Sequence, residues 1–338
     1  MENNLRKHIT ERIHLGDMAV HKELAVIPLL CSEIGGPDYI TLKEGFANGS
    51  VVVSEVSQGG SVPELKVTNG GKLNVLMLDG EELAGAKQNR VLNTTILVAT
   101  GASVIIPVSC TEQGRWTYSS PRFSDSGIMM SSSIRHRKNR SVSASLKQDL
   151  GFSSDQGEVW QSIEELHVSH GTSSGTRAMR DSYEARQHDR ASYEDSFTCL
   201  DGQCGIAVMI KGRVAGIELV SRPAAYRQLH AKLIGSYAMD IPLAQSGKSG
   251  PAPVKVKKIL DIIMTAAEKR FASVGLGMDC RYSAEELVGS ALAVDDWYVH
   301  MAFFRGNSSQ TCEPRERMSS MSRRKAYRSG SNGGDVFQ

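Results

Sequence analysis

Between Leu24 and Cys110 the chain is a series of short apolar, β-branched runs broken by turn residues. The runs are Leu24–Leu30, Tyr39–Leu42, Ser50–Val56, Glu64–Thr68, Lys72–Leu78, Val91–Thr100 and Val104–Cys110. Asn69-Gly70-Gly71 separates two of them and Gly101 joins the last two. Strand-like runs at a spacing of about 8–12 residues, with turn signals between them, favour packed antiparallel sheets over a parallel α/β sheet. Pro28 cannot donate to a ladder, so its run reads as an edge or a strand end. The expected architecture is α+β, with a β-rich N-terminal half (residues 20–118) that is sandwich-like or jelly-roll-like.

The second half reads differently. Ser119–Ser145 is serine-rich and carries the basic run Arg135, His136, Arg137, Lys138 and Arg140, as a long exposed loop with short helical pieces would. Glu158–His167 places Val159, Trp160, Ile163 and Leu166 at helical spacing. Thr176–Tyr193 reads as a more polar helix and Ala224–Tyr237 as an amphipathic one. Gly205–Ile210 with Arg213–Val220, and Val288–Val294 with Trp297–Phe304, read as hairpins. Gln245–Pro253 has the composition of a linker, and Val256–Phe271 has the apolar face of a helix. Ser283 and Glu286 have capping-box spacing, but the flanking runs favour strand. Residues 155–306 are therefore mixed helix and hairpin, and residues 1–306 are expected to form one α+β domain. Residues 307–338, with Arg315, Arg317, Arg323, Arg324, Lys325 and Arg328, read as a disordered basic tail.

A net charge of +2 gives no global argument for a nucleic-acid or membrane partner; nucleic acid is expected only through the tail. No window approaches the ~20 apolar residues of a membrane span, and the charged N-terminus is not a secretory signal. The six cysteines are scattered without a C-x-x-C pair, which reads as free thiols in a cytosolic protein.

One stretch departs from the strand-and-turn pattern. Asp79–Asn93 reads DGEELAGAKQNRVLN and lies between apolar runs, where Gly, Asn or Ser turns are the rule. Its partner, Ser109–Trp116, reads SCTEQGRW. Asp79, Glu81 and Glu82 repel one another, so one of them has a raised pKa, meets a cation, or lies exposed at an Asp-Gly turn. A general base or an oxygen ligand for a magnesium-like ion would use such groups. Lys87 and Arg90 suit phosphate or carboxylate, and Gln88, Asn89 and Asn93 suit an amide, base edge or ribose hydroxyl. Continued strand parity would face Lys87 and Asn89 one way, and Gln88 and Arg90 the other. One cation would then pair with the DGEE carboxylates while the other serves a ligand.

Glu112 shares strand parity with Cys110, and Arg115-Trp116 can clamp or stack on a planar ligand. Cys110 lacks an adjacent histidine and reads as an inert core thiol. His167-x-x-His170 has no signposted third zinc ligand, so no metal site is assigned. G-x-S-x-G, G-x-x-x-x-G-K-[ST] and a strand-linked G-x-G-x-x-G are all absent. That weighs against a serine hydrolase, a P-loop NTPase and a Rossmann dinucleotide unit.

At these motifs the chain resembles the family of proteins associated with ADP-ribosylglycohydrolase and rhodanese-phosphatase proteins. LMLDGEELAGAKQNRVLNTTILV (Leu76–Val98) and IPVSCTEQGRW (Ile106–Trp116) carry the resemblance, with QGEVWQSI (Gln156–Ile163) more weakly. It extends to about Phe304 and excludes the basic tail. The resemblance implies a link to ADP-ribose or NAD-derived metabolism but names no reaction and no cofactor.

Two expectations follow. In the first, the protein acts on a phosphorylated nucleotide. Asp79, Glu81 or Glu82 serves as base or metal ligand, Lys87 or Arg90 holds phosphate, and Arg115 and Trp116 lie near the base. In the second, it is a non-catalytic ligand-binding or scaffold protein whose polar motif is structural.

Overall fold

The computed structural model describes residues 4–57, 63–120, 122–243, 253–285 and 287–306. In chain order the first part comprises α1 (Asn4–Arg12), β1 (Ile13–Leu15), β2 (Ala19–His21), β3 (Leu24–Cys31), β4 (Tyr39–Thr41), α2 (Leu42–Ala47) and β5 (Val51–Glu55). It continues with β6 (Glu64–Asn69), β7 (Asn74–Met77), β8 (Glu81–Gly85), β9 (Arg90–Leu92), β10 (Ile96–Val98), β11 (Ser103–Cys110) and β12 (Phe123–Met129). Four helices follow: α3 (Ser132–Leu146), α4 (Gln156–His170), α5 (Met179–Ala185) and α6 (Gln187–Ser196). The remainder is β13 (Gln203–Ile210), β14 (Arg213–Val220), α7 (Pro223–Ala238), α8 (Pro253–Thr265), β15 (Ala267–Ala272), β16 (Met278–Ala284), β17 (Leu287–Val294) and β18 (Trp297–Arg305).

The architecture is α+β, with antiparallel sheets and a β-rich N-terminal half. Six strands pair in the order β12-β8-β9-β11-β6-β5, and β12 lies against β5, so the sheet curls toward a barrel. A second sheet, β10-β7-β4, shares its core: Val53, Leu65, Leu83, Leu92, Ile106 and Phe123 meet Val75, Met77, Ile96 and Val98. Period-two alternation assigns these side chains to the inner face. Thr41 caps α2 reciprocally with Glu44, a capping box in the run TLKE that the strand reading passed over.

The C-terminal half is built on a nine-stranded sheet, β1-β3-β13-β14-β18-β17-β16-β15, with β2 also paired to β3. Both faces are covered over β3, β13, β14, β17 and β18, which explains why these strands read as nearly continuous apolar runs. Val26, Ile206, Val208 and Phe304 face Tyr226, Leu229, Leu233 and Tyr237 of α7. Ile27, Met209, Ile217 and Phe303 face Leu5 and Ile9 of α1 and Val256, Ile259 and Ile263 of α8. Each fully buried leucine or isoleucine contributes about 1.5–3 kcal/mol.

Several expectations are corrected. Ser119–Ser145 is not an exposed loop: it contains β12 and α3, and α3 buries Arg135, Lys138 and Asn139. In sequence these polar residues read as a solvated run because their partners lie far away along the chain. The Thr176–Tyr193 helix is two helices broken at Arg186, and the Val256–Phe271 helix stops at Thr265 because Ala267–Ala272 pairs with β16. Pro28 sits within a paired strand, not at an end; β1 and β2 cover β3 on either side of it. Not all thiols are free: Cys31 and Cys204 form a disulfide joining β3 and β13, while Cys110, Cys199 and Cys280 are free. The cysteine argument for a cytosolic location is thereby removed. The tail at 307–338, residues 245–252 of the linker, and Glu286 lie outside the described residues. Among the described residues no helix is long and apolar enough to cross a membrane.

Candidate functional site

The DGEE motif turns inward and finds partners from distant helices. Asp79 Oδ1 accepts a hydrogen bond from Lys138 Nζ of α3, which also donates to the Leu92 carbonyl at 2.7 Å. Gly80 has φ +90°, and a Cβ there would come within 2.6 Å of Arg135 Nε, so only glycine lets α3 close over this turn. Arg135 itself makes a bidentate pair with Glu218 at 2.8 and 2.7 Å, both side chains fully buried. Glu81 accepts from Lys232 Nζ of α7 at 2.8 Å and from the Leu78 amide at 2.7 Å. Lys232 also serves Asp125. Burial, with Asp125 adding like charge, raises the Glu81 carboxyl although Lys232 opposes both. Burial lowers the Lys138 amine despite Asp79.

Glu82 is the third carboxylate. Its Oε1 accepts from the Thr111 hydroxyl at 2.7 Å, and its buried Oε2 has no hydrogen-bond partner among the described residues. Burial pushes its pKa up to about 7, with the Thr111 and Ser126 hydroxyls pulling the other way. Lys138 and Lys232, rather than the expected Lys87 or Arg90, neutralise the motif.

Residues 86–89 form a turn between β8 and β9, so strand parity does not run through them. Gln88 Nε2 donates to the Glu112 carbonyl at 2.8 Å. Asn89 Oδ1 accepts from the Gly85 amide and from Arg115 Nη2, each at 3.2 Å. Arg115 is fully engaged: Nε donates to Glu112 at 2.9 Å and Nη1 to the Ala86 and Thr117 carbonyls at 2.8 and 2.9 Å. It clamps its own loop. Burial raises the Glu112 carboxyl, but Arg115 outweighs this and the net shift is downward. Asn93 bonds the Phe152 carbonyl at 3.0 Å and the Ser109 hydroxyl at 2.6 Å, pinning the chain just before α4.

The ends of the six curled strands form a mouth. β5 ends at Glu55, β8 at Gly85 and β11 at Cys110; β6 begins at Glu64, β9 at Arg90 and β12 at Phe123. The pairs Glu55↔Leu65, Leu83↔Arg90, Cys110↔Arg90 and Phe123↔Gly85 put all of these at one end. Parity with the core residues Val53, Leu92 and Val108 turns Glu55, Arg90 and Cys110 inward. Arg90 Nη1 donates to Gln88 Oε1 at 3.0 Å. Its Nε and Nη2, the two parallel donors of one guanidinium edge, are buried and have no partner among the described residues. Both Glu55 carboxylate oxygens are in the same condition. Burial lowers the Arg90 pKa, opposed by Cys110 and Glu55. The Cys110 thiol donates to Gln88 Oε1 and the Glu112 carbonyl at 3.1 Å each, and burial raises its pKa, as suits an inert thiol.

Above the mouth lie two exposed rings, Trp116 (47% exposed) and Tyr118 (54%). Lys87 Nζ is 5.3 Å from both ring centroids, and the Arg90 guanidinium is 5.8 Å from that of Trp116.

The sequence reading missed Glu55, Thr111, Arg135, Lys138, Gln156 and Lys232. Glu55 had a signal: in VVVSE it shares parity with Val51 and Val53. Gln156, from the weaker QGEVWQSI motif, bonds both backbone groups of Cys110 at 2.7 and 2.8 Å, joining that motif to SCTEQGRW. His167 and His170 bond the Ala178 and Met239 carbonyls through Nε2, each at 3.0 Å, so they staple α4 to its neighbours. Among the described residues no group of three or more His, Cys, Asp or Glu is arranged to hold a metal ion.

The fold and motifs define an α+β protein whose polar signature is wired into a half-closed barrel. The chain belongs to the family described as ARG and Rhodanese-Phosphatase-superfamily-associated Protein domain, whose model matches residues 12–304. No curated protein matches the chain, and no solved structure does.

Proposed function

We propose that the protein binds a phosphorylated nucleotide at the barrel mouth, and that the DGEE carboxylates are architectural rather than catalytic. The Arg90 edge carries this reading. Two parallel N–H donors on a buried guanidinium match a phosphate or carboxylate bidentately, and leaving them unmet is costly. Trp116 and Tyr118 offer ring faces for a base, and Lys87 between them adds positive charge for a further phosphate. Mouths of β-barrels are common ligand sites. ADP-ribose and NAD are the first candidates, in keeping with the metabolism that the resemblance implies, and this ligand class suits a cytosolic protein. We assign no chemical step.

The second reading, a scaffold without a ligand, draws its support from Arg115, which spends its donors within the loop, and from the lysine pairs on Asp79 and Glu81. A thermal-shift screen of the full chain separates the two, because a ligand raises stability by mass action. It should contain ADP-ribose, NAD, AMP, ADP, cyclic nucleotides and divalent cations. At least one nucleotide is expected to raise the melting temperature, and Trp116→Ala to weaken it about tenfold or more at unchanged stability. A blank nucleotide screen leaves the scaffold reading standing.

A further inference from the structure

Glu55 is the other anomaly at the mouth. A carboxylate with both oxygens buried and unmet normally recruits a donor, since a polar group out of water without partners is costly. The obvious donor, Arg90, enters the same mouth yet does not use its free edge on Glu55. β11 and β6 lie between β9 and β5 in the sheet, and the two opposite charges act on each other across the mouth without a hydrogen bond between them. The mouth therefore presents, on one inner surface, two groups with no hydrogen-bond partner among the described residues: an acceptor pair at Glu55 and a donor pair at Arg90.

We propose that Glu55 reads the vicinal hydroxyls of a ribose while Arg90 holds phosphate, so the mouth selects ribonucleotides over deoxyribonucleotides. This rests on the nucleotide reading above and deepens it. A ribose cis-diol supplies two O–H donors on adjacent carbons, and a carboxylate accepts two such bonds side by side. Phosphate oxygens lie at the other end of the same sugar and accept only, as the Arg90 edge requires. Free phosphate would satisfy Arg90 and leave Glu55 unmet; a free sugar would do the reverse. A site built around a hydroxyl rejects the analogue that lacks it, because its own buried polar group is left unpaired.

The test compares ADP with 2′-deoxy-ADP and 3′-deoxy-ADP on the unmodified full chain, by titration calorimetry. Each deoxy form is expected to bind about tenfold more weakly or worse. Glu55→Ala, which removes both acceptors, is expected to bring the three ligands within about threefold of one another. Equal affinities on the unmodified chain would overturn the ribose assignment and leave nucleotide binding intact. A deoxy penalty that survives Glu55→Ala would assign the selection to another residue and also overturn it. Failure of all three to bind would remove the nucleotide reading and this inference together.

Discussion

Asp79, Glu81 and Arg90 lie within twelve positions of one another and are all fully buried, yet the fold treats them in opposite ways. Each of the two carboxylates is neutralised by a lysine brought in from α3 or α7, although Asp79 Oδ2 has no hydrogen-bond partner among the described residues. The guanidinium keeps one edge without a hydrogen-bond partner among the described residues, facing inward at the barrel mouth with a Glu55 in the same condition. Breaking a buried pair by removing one partner is strongly destabilising, whereas a buried charge that already lacks a partner costs the fold stability until something meets it. The density of polar residues in this motif thus combines two physical roles: charges that join the halves of the molecule, and charges that wait for something else.

The comparison can be broken most directly at Lys138. Lys138→Met should destabilise the protein by about 3–5 kcal/mol in urea titration, since it strands Asp79 inside. Adding Asp79→Asn should recover much of that loss. If Lys138→Met is neutral, the carboxylates are not architectural.

Glu82 gives the next largest effect, read through pH. Its folded pKa, about 7, lies above the ordinary 4.5, so its contribution is full below pH 4.5 and is lost as pH rises through 7. Over that window the unmodified chain should lose up to about 3 kcal/mol relative to Glu82→Gln. Thr111 can still donate to the glutamine carbonyl. His8, His136 and His170, lowered by burial to about 4, and His300, to about 3, titrate in the opposite sense. They are common to both proteins and cancel in the difference. Parallel stability curves from pH 4 to 8 would rule out the buried, ionisable Glu82 described above.

Arg90→Met sharpens the other side of the comparison. Its stability should hold or rise by up to about 4 kcal/mol, because the lost edge has no hydrogen-bond partner among the described residues. Affinity for whichever nucleotide binds should fall about tenfold to hundredfold. A large stability loss with unchanged affinity would move Arg90 into the same class as Lys138.

The β-rich half was legible because short runs, turn residues and period-two alternation are local signals, and the register of β5, β6 and β11 follows from them. What governs the motif was not local. Lys138 and Lys232 reach Asp79 and Glu81 across 59 and 151 residues of sequence, respectively. In sequence, a lysine on a serine-rich helix looks the same whether it is solvated or buried. The run after Ala86 defeated parity because Ala86, at φ +43°, starts a turn instead of continuing the strand. Arg115 and Trp116 were placed at the right loop, but only the structure separates the clamp from the exposed ring.

Gly80 and Lys232 also constrain how the chain can be made and divided. During synthesis from the N-terminus, the β7–β8 turn emerges long before the helices that neutralise it. Asp79 must stay hydrated until α3 arrives to seat against Gly80, and Glu81 until α7 supplies Lys232. A fragment ending at the natural-looking break after β12 would have to bury both carboxylates without a cation or leave that edge of its core open to water. The smallest piece that can complete its own interior therefore runs past residue 232, and truncations or split reporters cut within that span should yield two aggregation-prone halves that recover only when they reassociate.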